Sequence, residues 1–375
     1  MPSLGVALTI CSLLCSTTTG EESRMTWQLE PFWETNVMEG ESLFFIRDSE
    51  TGTPKTKLLF TPIEIRRVEQ PSTGLVFEEG RDYQVDQEGK TLTLPEGSRI
   101  PSRNREDFYP EPGAPNSMAA KRDSDRSLYW GEGHLFHDQQ VEVTYGHSGE
   151  EWKARNAFDP GQKHGSLPAT TRILRNGEPL KMVLLGDSIS EGYNASGFVD
   201  ANPHQPPYGE LVARGLRHAS GSEVDFKNLA KAGMDTRWGI DQMDRVIAEK
   251  PDLVLLAFGM NDAAARGGDE YFGNMKEMVS RLRAPDRKGE VILVATMLGN
   301  AEWTAFPDMN RFTEFRDRLV ELTGEGVALA DLTSMWKQLL KRKSYLDLSG
   351  NGLNHPNDFG HRIYAQVILS LLRID

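Results

Sequence analysis

Apolar residues between about positions 26 and 147 occur in short runs that alternate with polar residues and are separated by turn formers. The clearest of these runs are residues 42–46, 57–60 and 141–145. This pattern is typical of β-strands, and residues 83–86 and 91–94, which flank a Gly-containing turn, predict a hairpin. Short alternating strands need a second layer to bury one face. We therefore expect residues 26–147 to form an all-β accessory domain, a sandwich or a jelly roll.

The apolar runs after position 171 are nearly continuous, as strands buried on both faces of a parallel sheet require. Five such runs, the second of them weaker, cover residues 182–185, 224–229, 253–257, 291–295 and 327–330. Segments of helical length lie between or after them, at residues 239–250, 271–283, 311–323 and 360–372. The alternation predicts an α/β domain over residues 171–375, with a three-layer, doubly wound parallel sheet. Ligand sites on such sheets lie at the carboxyl ends of the strands.

A stretch without periodicity, residues 148–170, separates the two regions and is interpreted as an interdomain linker. The whole chain has 375 residues, which is longer than a usual single domain. Two domains, each with its own core, are therefore the expected organisation.

The amino terminus carries a short apolar run, residues 4–18, followed by a polar stretch. This order predicts a signal peptide over residues 1–20 and export to the periplasm or the extracellular space. The run is too short to cross a bilayer comfortably, so we expect no integral membrane span in the mature chain. Both cysteines, Cys11 and Cys15, lie in this run. The mature protein is thus expected to lack disulfides, a thiolate nucleophile and a cysteine metal site.

The net charge of −13 and the pI near 5.2 argue against non-specific binding to nucleic acid or to an anionic membrane surface, because both depend on Lys and Arg. A neutral substrate fits this charge better. His134 and His137 are candidate metal ligands, but no third ligand is spaced nearby. A structural role, or a place at the mouth of an active site, is favoured for them. We expect neither a metal nor a cofactor, and the sequence does not indicate the oligomeric state.

Four polar blocks follow strand ends or lie near the end of the chain. Ser188 belongs to a Gly-Asp-Ser segment after the first strand of the α/β region, Gly233 follows the second strand and Asn261 the third. His355 lies near the C-terminus. In order and context these blocks resemble the Ser, Gly, Asn and His blocks of the SGNH (GDSL-type) hydrolases. The resemblance covers about residues 180–372 and implies a flavodoxin-like hydrolase domain.

The same resemblance implies acyl transfer through a serine. A serine hydroxyl is a poor nucleophile until a base accepts its proton, and imidazole suits that task. Ser188 is therefore the expected nucleophile and His355 the expected general base. The attacked carbonyl develops negative charge, which needs preorganised donors. The Ser188 N–H, the Gly233 N–H and the Asn261 side chain are the expected oxyanion hole.

The group that orients the histidine is where the chain departs from this family. SGNH hydrolases commonly place an aspartate three residues before the histidine, but that position here is Gly352. The nearest carboxylates are Asp347 and Asp358, and helix capping is a competing role for Asp358. We expect a neutral acceptor, either the Asn351 side chain or a backbone carbonyl of this loop, to hold Nδ1 of His355. Asp347 and Asp358 stay open as alternatives.

An exported hydrolase with a preceding β-domain and no long apolar lid is similar to two-domain carbohydrate esterases. The expected reaction is therefore the removal of O-acetyl groups from a polysaccharide or oligosaccharide. Loops of the β-domain, including residues 134–137, are expected to border the cleft and help to select the substrate. Two alternatives stay open: a lipase-like or arylesterase activity on small acyl esters, and a carbohydrate-binding protein with a degenerate hydrolase domain.

Overall fold

The computed structural model describes residues 29–47, 52–86, 90–121, 125–149, 152, 165–287 and 289–372. The predicted signal peptide, residues 1–20, lies outside the described residues. Most of the predicted linker lies outside them as well, since residues 150, 151 and 153–164 are not described. The described part consists of a strand-rich N-terminal region and a C-terminal region in which strands and helices alternate.

The N-terminal region is an all-β domain, as its alternating pattern predicts. Its strands are β1 (Val37–Phe44), β2 (Ile46–Arg47), β3 (Pro54–Lys57), β4 (Glu64–Gln70), β5 (Leu75–Val76), β6 (Gln84–Asp86), β7 (Thr91–Thr93), β8 (Arg103–Asn104), β9 (Ser117–Ala119), β10 (Ser127–Tyr129) and β11 (Gln140–Gly146). They form a sheet in the order β1-β11-β4-β5, a second in the order β6-β7-β3-β2-β8, and the pair β10-β9. The predicted hairpin is β6–β7, in which Val85 lies opposite Leu92.

A small aromatic cluster lies beneath the loop that leads from β10 towards β11. Phe44, Phe108 and Phe136 are buried in it, and the rings of Phe44 and Phe108 meet edge to face at 5.2 Å. The Tyr129 ring stacks on Phe136 from the side of β10. Residues 131–138, here called the bridging loop, are anchored by these rings. The cluster thus fixes a loop that extends from the β-domain towards the second region.

The C-terminal region is built on a five-stranded parallel sheet. Its strands are β12 (Leu180–Gly186), β13 (Val224–Asn228), β14 (Leu253–Ala257), β15 (Glu290–Ala295) and β16 (Val327–Asp331). They lie in the order β13-β12-β14-β15-β16, which is the doubly wound, flavodoxin-like order. All five apolar runs are confirmed as strands, and side chains such as Leu184, Leu255 and Leu293 are fully buried.

Helices connect these strands. They are α1 (Pro168–Arg175), α2 (Ser188–Glu191), α3 (Tyr208–Ser220), α4 (Thr236–Asp241), α5 (Met243–Ala248), α6 (Met260–Ala265), α7 (Gly268–Leu282), α8 (Asn310–Val320), α9 (Leu332–Leu339), α10 (Tyr345–Leu348) and α11 (Asp358–Ser370). The single helix expected over residues 239–250 is instead the pair α4 and α5, which meet at Gln242. Within the described part of the chain, no helix is both long and apolar enough to cross a membrane.

Helix α3 was not predicted, because two glycines weaken its helical pattern. A Cβ at Gly209 would lie 2.7 Å from the Phe226 ring and 2.9 Å from Leu184. A Cβ at Gly215 would lie 2.7 Å from Leu369 of α11. The glycines therefore let α3 approach both the sheet and α11, at the expense of helix propensity.

The two regions share one hydrophobic core. The cluster that holds the buried sheet side chains also includes N-terminal residues such as Phe32, Leu43 and Val143. Buried polar contacts cross the same boundary, for example between Lys343 Nζ and Glu41 Oε1 at 2.6 Å. The β-domain is therefore packed firmly against the α/β domain.

Candidate active site

The candidate nucleophile lies at the carboxyl end of strand β12, between β13 and β14 in the parallel sheet. The strand ends at Gly186, and Ser188 is the first residue of α2. Asp187 caps this short helix, because its Oδ1 accepts a hydrogen bond from Ile189 N at 3.0 Å. A Cβ at Gly186 would lie 2.5 Å from the Ala257 carbonyl oxygen, so only glycine fits the turn. The Gly-Asp-Ser sequence thus sets the serine at the edge of the sheet.

Ser188 and His355 are in direct contact. Ser188 Oγ lies 2.9 Å from His355 Nε2, and each residue is 6% exposed. The loop that carries His355 is closed on itself, because Gly350 N donates to the His355 carbonyl at 3.0 Å. Asn357 ends the loop by capping α11 through Gly360 N. The structure therefore brings the two predicted catalytic residues within hydrogen-bonding distance.

The other ring nitrogen of His355 faces a neutral oxygen. Asn194 Oδ1 lies 2.7 Å from His355 Nδ1. Asn194 is fully buried, and its Nδ2 donates to the Gly350 carbonyl at 3.3 Å, which directs Oδ1 towards the imidazole. Nδ1 is therefore the protonated nitrogen, and Nε2 is left as the acceptor for the serine proton.

Asn351 does not accept this proton. Its Oδ1 accepts three backbone N–H groups, those of Leu353, Asn354 and His355. Its Nδ2 therefore lies 3.0 Å from the protonated Nδ1 of His355, and its two hydrogens are donated elsewhere, to Asn354 Oδ1 at 3.1 Å and Glu132 Oε1 at 3.3 Å. The neutral oxygen beside Nδ1 belongs to Asn194, and not to Asn351 or the loop backbone. Asn194 is far from His355 along the chain, so the sequence did not indicate it.

The two alternative carboxylates are engaged elsewhere. Asp347 Oδ1 accepts from Phe44 N at 2.7 Å, in strand β1. Asp358 Oδ1 accepts from Ser196 N at 2.7 Å. Neither carboxylate is among the described hydrogen-bond or ion-pair partners of His355.

A carboxylate that the sequence did not single out lies beside the histidine. Glu132 Oε1, from the bridging loop, is 3.6 Å from His355 Nδ1. Asn351 Nδ2 donates to the same oxygen at 3.3 Å. Glu132 lies between Gly131 and Gly133, in the segment that was considered for His134 and His137. A carboxylate flanked by two glycines was the sequence feature that could have marked it as a candidate site residue.

The expected oxyanion donors come from three adjacent strands. Ser188 follows β12, Gly233 follows β13 on one side and Asn261 follows β14 on the other. Asn261 Nδ2 donates one hydrogen to the Met234 carbonyl at 2.8 Å, which joins the Asn and Gly blocks. The second hydrogen of this amide remains as a donor. Because Ser188 begins a helix, its N–H has no acceptor within that helix.

Two buried carboxyl groups support the turns that carry these donors. Burial raises the pKa of Asp187 to about 7, although hydrogen bonds from backbone N–H groups lower it in part. One of these donors is Met260, at the start of α6. Burial also raises the pKa of Asp262 to about 6. Asp262 Oδ1 accepts from both N and Oγ1 of Thr236, at 3.1 and 2.5 Å. Asp262 therefore holds the helix that carries Asn261, α6, against the start of α4.

Burial also sets the protonation state of the histidine. It lowers the pKa of His355 to about 3, with a smaller contribution from His361 in the same direction. A general base must be unprotonated before it acts. His355 is therefore poised as a neutral base over the whole neutral range.

The bridging loop reaches the site, as expected for the segment with the two histidines. His137 Nε2 lies 3.1 Å from the Asn194 carbonyl oxygen, and His134 Nδ1 lies 2.6 Å from Asp138. Gly352 lies against this loop with φ +85°, and a Cβ there would be 2.9 Å from the Tyr129 carbonyl oxygen. Among the described residues, no three His, Cys, Asp or Glu side chains are grouped to hold a metal ion.

Comparison with known proteins places part of the chain in the range of a family model. Residues 184–363 match the model of the GDSL-like lipase/acylhydrolase family. No curated protein matches the chain by sequence.

Three solved structures illustrate the similarity. A catalytic mutant of an acetylxylan esterase from Geobacillus stearothermophilus is 20% identical over 52% of this chain and 95% of its own, with a TM-score of 0.43. A two-domain esterase active on acetylated mannans is 19% identical over 56% of this chain and 55% of its own, with a TM-score of 0.45. An α/β hydrolase from the metagenome of Lake Arreo, Spain, is 23% identical over 52% and 95%, with a TM-score of 0.43.

The matched segment contains the Ser, Gly, Asn and His blocks in order, on the strands and loops described above. Residues 184–363 therefore make up a domain that matches the GDSL-like lipase/acylhydrolase family.

Proposed function

We propose that this protein is a serine carboxylic ester hydrolase that removes O-acetyl groups from a polysaccharide or oligosaccharide. The observation that carries the hydrolase part is the 2.9 Å contact between Ser188 Oγ and His355 Nε2. A hydroxyl and a base at this distance can exchange the proton that makes serine nucleophilic.

The reaction proceeds in two acyl transfers. His355 Nε2 takes the proton of Ser188 while Oγ attacks the ester carbonyl, and the Ser188 N–H, Gly233 N–H and Asn261 Nδ2 stabilise the oxyanion. The tetrahedral intermediate collapses, the C–O bond to the sugar breaks, and Nε2 returns its proton to the departing sugar oxygen. Water then attacks the acetyl-serine and loses a proton to Nε2. The bond between Oγ and the acetyl carbon breaks, Nε2 returns the proton to Oγ, and acetate leaves with Ser188 restored.

The surface beside the dyad supports a short acyl group on a sugar. The Tyr193 ring centroid lies 5.2 Å from that of His355 and 4.8 Å from that of Phe198, which is 41% exposed. An exposed aromatic face suits the apolar face of a sugar ring. The exposed large apolar residues among the described ones are few: Ile63, Leu75, Val76 and Phe198. Such a small apolar surface favours acetyl over a long acyl chain.

Export belongs to the same proposal. The apolar run at residues 4–18 supports it, since a signal peptide would bring the enzyme to polysaccharides outside the cell.

The test is acetate release from a panel of acetylated glycans, compared with p-nitrophenyl acetate and p-nitrophenyl octanoate. We expect release from at least one glycan, acetate preferred over octanoate, and no turnover by Ser188→Ala. Preference for octanoate, or for aryl esters over every glycan, would support the lipase-like or arylesterase alternative. A wild-type protein that neither turns over esters nor reacts with a fluorophosphonate would support the degenerate binding protein.

A further inference from the structure

The β-domain extends a carboxylate into the hydrolase site. Glu132 lies in the bridging loop, and its Oε1 is 3.6 Å from Nδ1 of His355. The side chain is 40% exposed, so the carboxylate stands at the rim of the site. No other titratable side chain of the described β-domain forms a described contact with His355.

The carboxylate is held by the same amides that surround the imidazole. Asn351 Nδ2 donates to Oε1 at 3.3 Å, and the Asn194 side chain forms a further hydrogen bond with Glu132. The backbone is docked as well, because Gly131 N donates to the Asn351 carbonyl at 3.2 Å. Both amides that hold Glu132 also contact His355 Nδ1. The position of the carboxylate relative to the imidazole is therefore fixed by shared partners.

We propose that Glu132 is a positioning residue of the catalytic site, and that it supplies, from the β-domain, the negative charge that the His355 loop lacks. This inference rests on the proposed serine hydrolase. When His355 takes the Ser188 proton, the ring becomes a cation. A carboxylate 3.6 Å away stabilises this cation more than the neutral amide oxygen of Asn194 can alone.

The surroundings of Glu132 favour this role over a purely structural one. Within the described part of the chain, no Lys or Arg lies within ion-pair distance of its carboxylate, and His355 is the one neighbouring group that becomes a cation, when it takes the Ser188 proton. Burial raises the pKa of Glu132, but the two amide donors favour the ionised form. Apart from its two amide donors, the Glu132 carboxylate therefore has only the imidazole ring of His355 as a group whose positive charge it can stabilise.

The test is Glu132→Gln, which keeps the shape and one acceptor oxygen but removes the charge. The matched control is Glu64→Gln, an exposed glutamate of β4 in the same domain. We expect Glu132→Gln to lower kcat for an acetyl ester by about 10- to 100-fold, with KM within about twofold and an unchanged Tm, because the lost interaction is made only in the transition state. Fluorophosphonate labelling of Ser188 should slow by a similar factor. Glu64→Gln should change neither quantity.

A second variant separates charge from fit. Glu132→Asp keeps the carboxylate and is expected to retain more kcat than Glu132→Gln. An aspartate variant as slow as the glutamine variant, a loss confined to KM, or wild-type labelling by Glu132→Gln would overturn the inference and leave the serine hydrolase standing. A wild-type protein that resists fluorophosphonate would overturn both. A third outcome would overturn only the glycan part of the proposal. In it, the wild type reacts with the fluorophosphonate, Glu132→Gln slows this reaction, and no acetylated glycan is a substrate.

Discussion

Each ring nitrogen of His355 has one oxygen within hydrogen-bonding distance: Ser188 Oγ at 2.9 Å from Nε2, and Asn194 Oδ1 at 2.7 Å from Nδ1. The second contact fixes the tautomer that the first requires. An amide orienter does this without carrying a charge. Orientation and charge compensation, which one aspartate performs in a Ser-His-Asp triad, are thus divided here between two side chains.

The burial of His355 has a direct consequence for the pH dependence of activity. Its pKa is lowered from 6.5 to about 3, mainly by burial. Because only the neutral imidazole accepts the serine proton, a lower pKa keeps the base active in more acidic solution. We expect kcat/KM for a neutral ester to reach half its maximum well below pH 6.5, measured between about pH 4 and 9. A midpoint near that of free imidazole, about 6.5, would contradict this expectation.

The oxyanion role of Asn261 leads to a second prediction. Asn261→Ala is expected to lower kcat by roughly 10²- to 10³-fold with a smaller change in KM, because the donor acts on charge that develops in the transition state. Steady-state kinetics measures both parameters. Asn274→Ala is the control, since Asn274 supports the same loop by donating to Thr236 Oγ1 at 2.9 Å. It should keep kcat within about threefold. A change confined to KM in Asn261→Ala would indicate ground-state binding instead.

Residues that follow strand ends could be identified from the sequence, and residues that arrive from elsewhere could not. Ser188, Gly233 and Asn261 each come after a strongly apolar run, so their convergence followed from the parallel sheet. Asn194 and Glu132 reach His355 from 161 and 223 positions away along the chain. Only the packing of two loops brings them together, and no local pattern encodes it.

At the scale of elements, a buried ion pair joins β1 to the segment between α9 and α10. Lys343 Nζ lies 2.6 Å from Glu41 Oε1, and both side chains are fully buried. Lys343 also donates to the Lys57 carbonyl at 3.0 Å, and Glu41 accepts from Leu59 N. The pair therefore fixes two strands of the β-domain against the hydrolase domain.

Removal of the lysine should destabilise the protein strongly. Lys343→Met leaves the Glu41 carboxylate buried without its cation, which typically costs about 3–5 kcal/mol of unfolding free energy. Urea denaturation measures the change. Lys341→Met, at an exposed position two residues earlier, is the control and should stay within about 0.5 kcal/mol of the wild type. Equal stability of the two variants would show that the buried pair does not hold the elements together.

The elements of the central sheet were predictable because their strands are buried on both faces and carry long apolar runs. The short strands β2, β5 and β8 have only two residues each, too few for a periodic signal. Helix α3 was hidden for a different reason, since Gly209 and Gly215 serve close packing rather than helix propensity.

On the scale of the whole molecule, buried contacts join the two domains. Phe32 N donates to Gln366 of α11 at 3.5 Å, and Arg362 Nη2 donates to Glu142 at 2.8 Å. These contacts accompany a hydrophobic core that includes side chains from both domains. The sequence indicated two separate cores, because the spacing of apolar residues changes between the two regions. Such a change marks a change of fold class, but it does not show how the two folds pack against each other.

The shared core predicts a single cooperative transition. We expect calorimetry of the full chain to show one thermal transition, since unfolding of either domain exposes apolar surface of the other. The ratio of calorimetric to van't Hoff enthalpy should be close to one. Two resolved transitions, or a stable intermediate that retains esterase activity, would contradict this prediction.

Gly352 couples the loop that carries His355 to the β-domain. The position that holds an aspartate in most SGNH hydrolases lies here beneath Tyr129, with φ +85° and room for no Cβ. An acid at this position and the docked β-domain thus exclude each other. The substitution Gly352→Asp would require the Tyr129 backbone to move first. The shape of the loop that carries His355 therefore depends on the β-domain backbone, and a protein without this interface would not constrain position 352 to glycine in the same way.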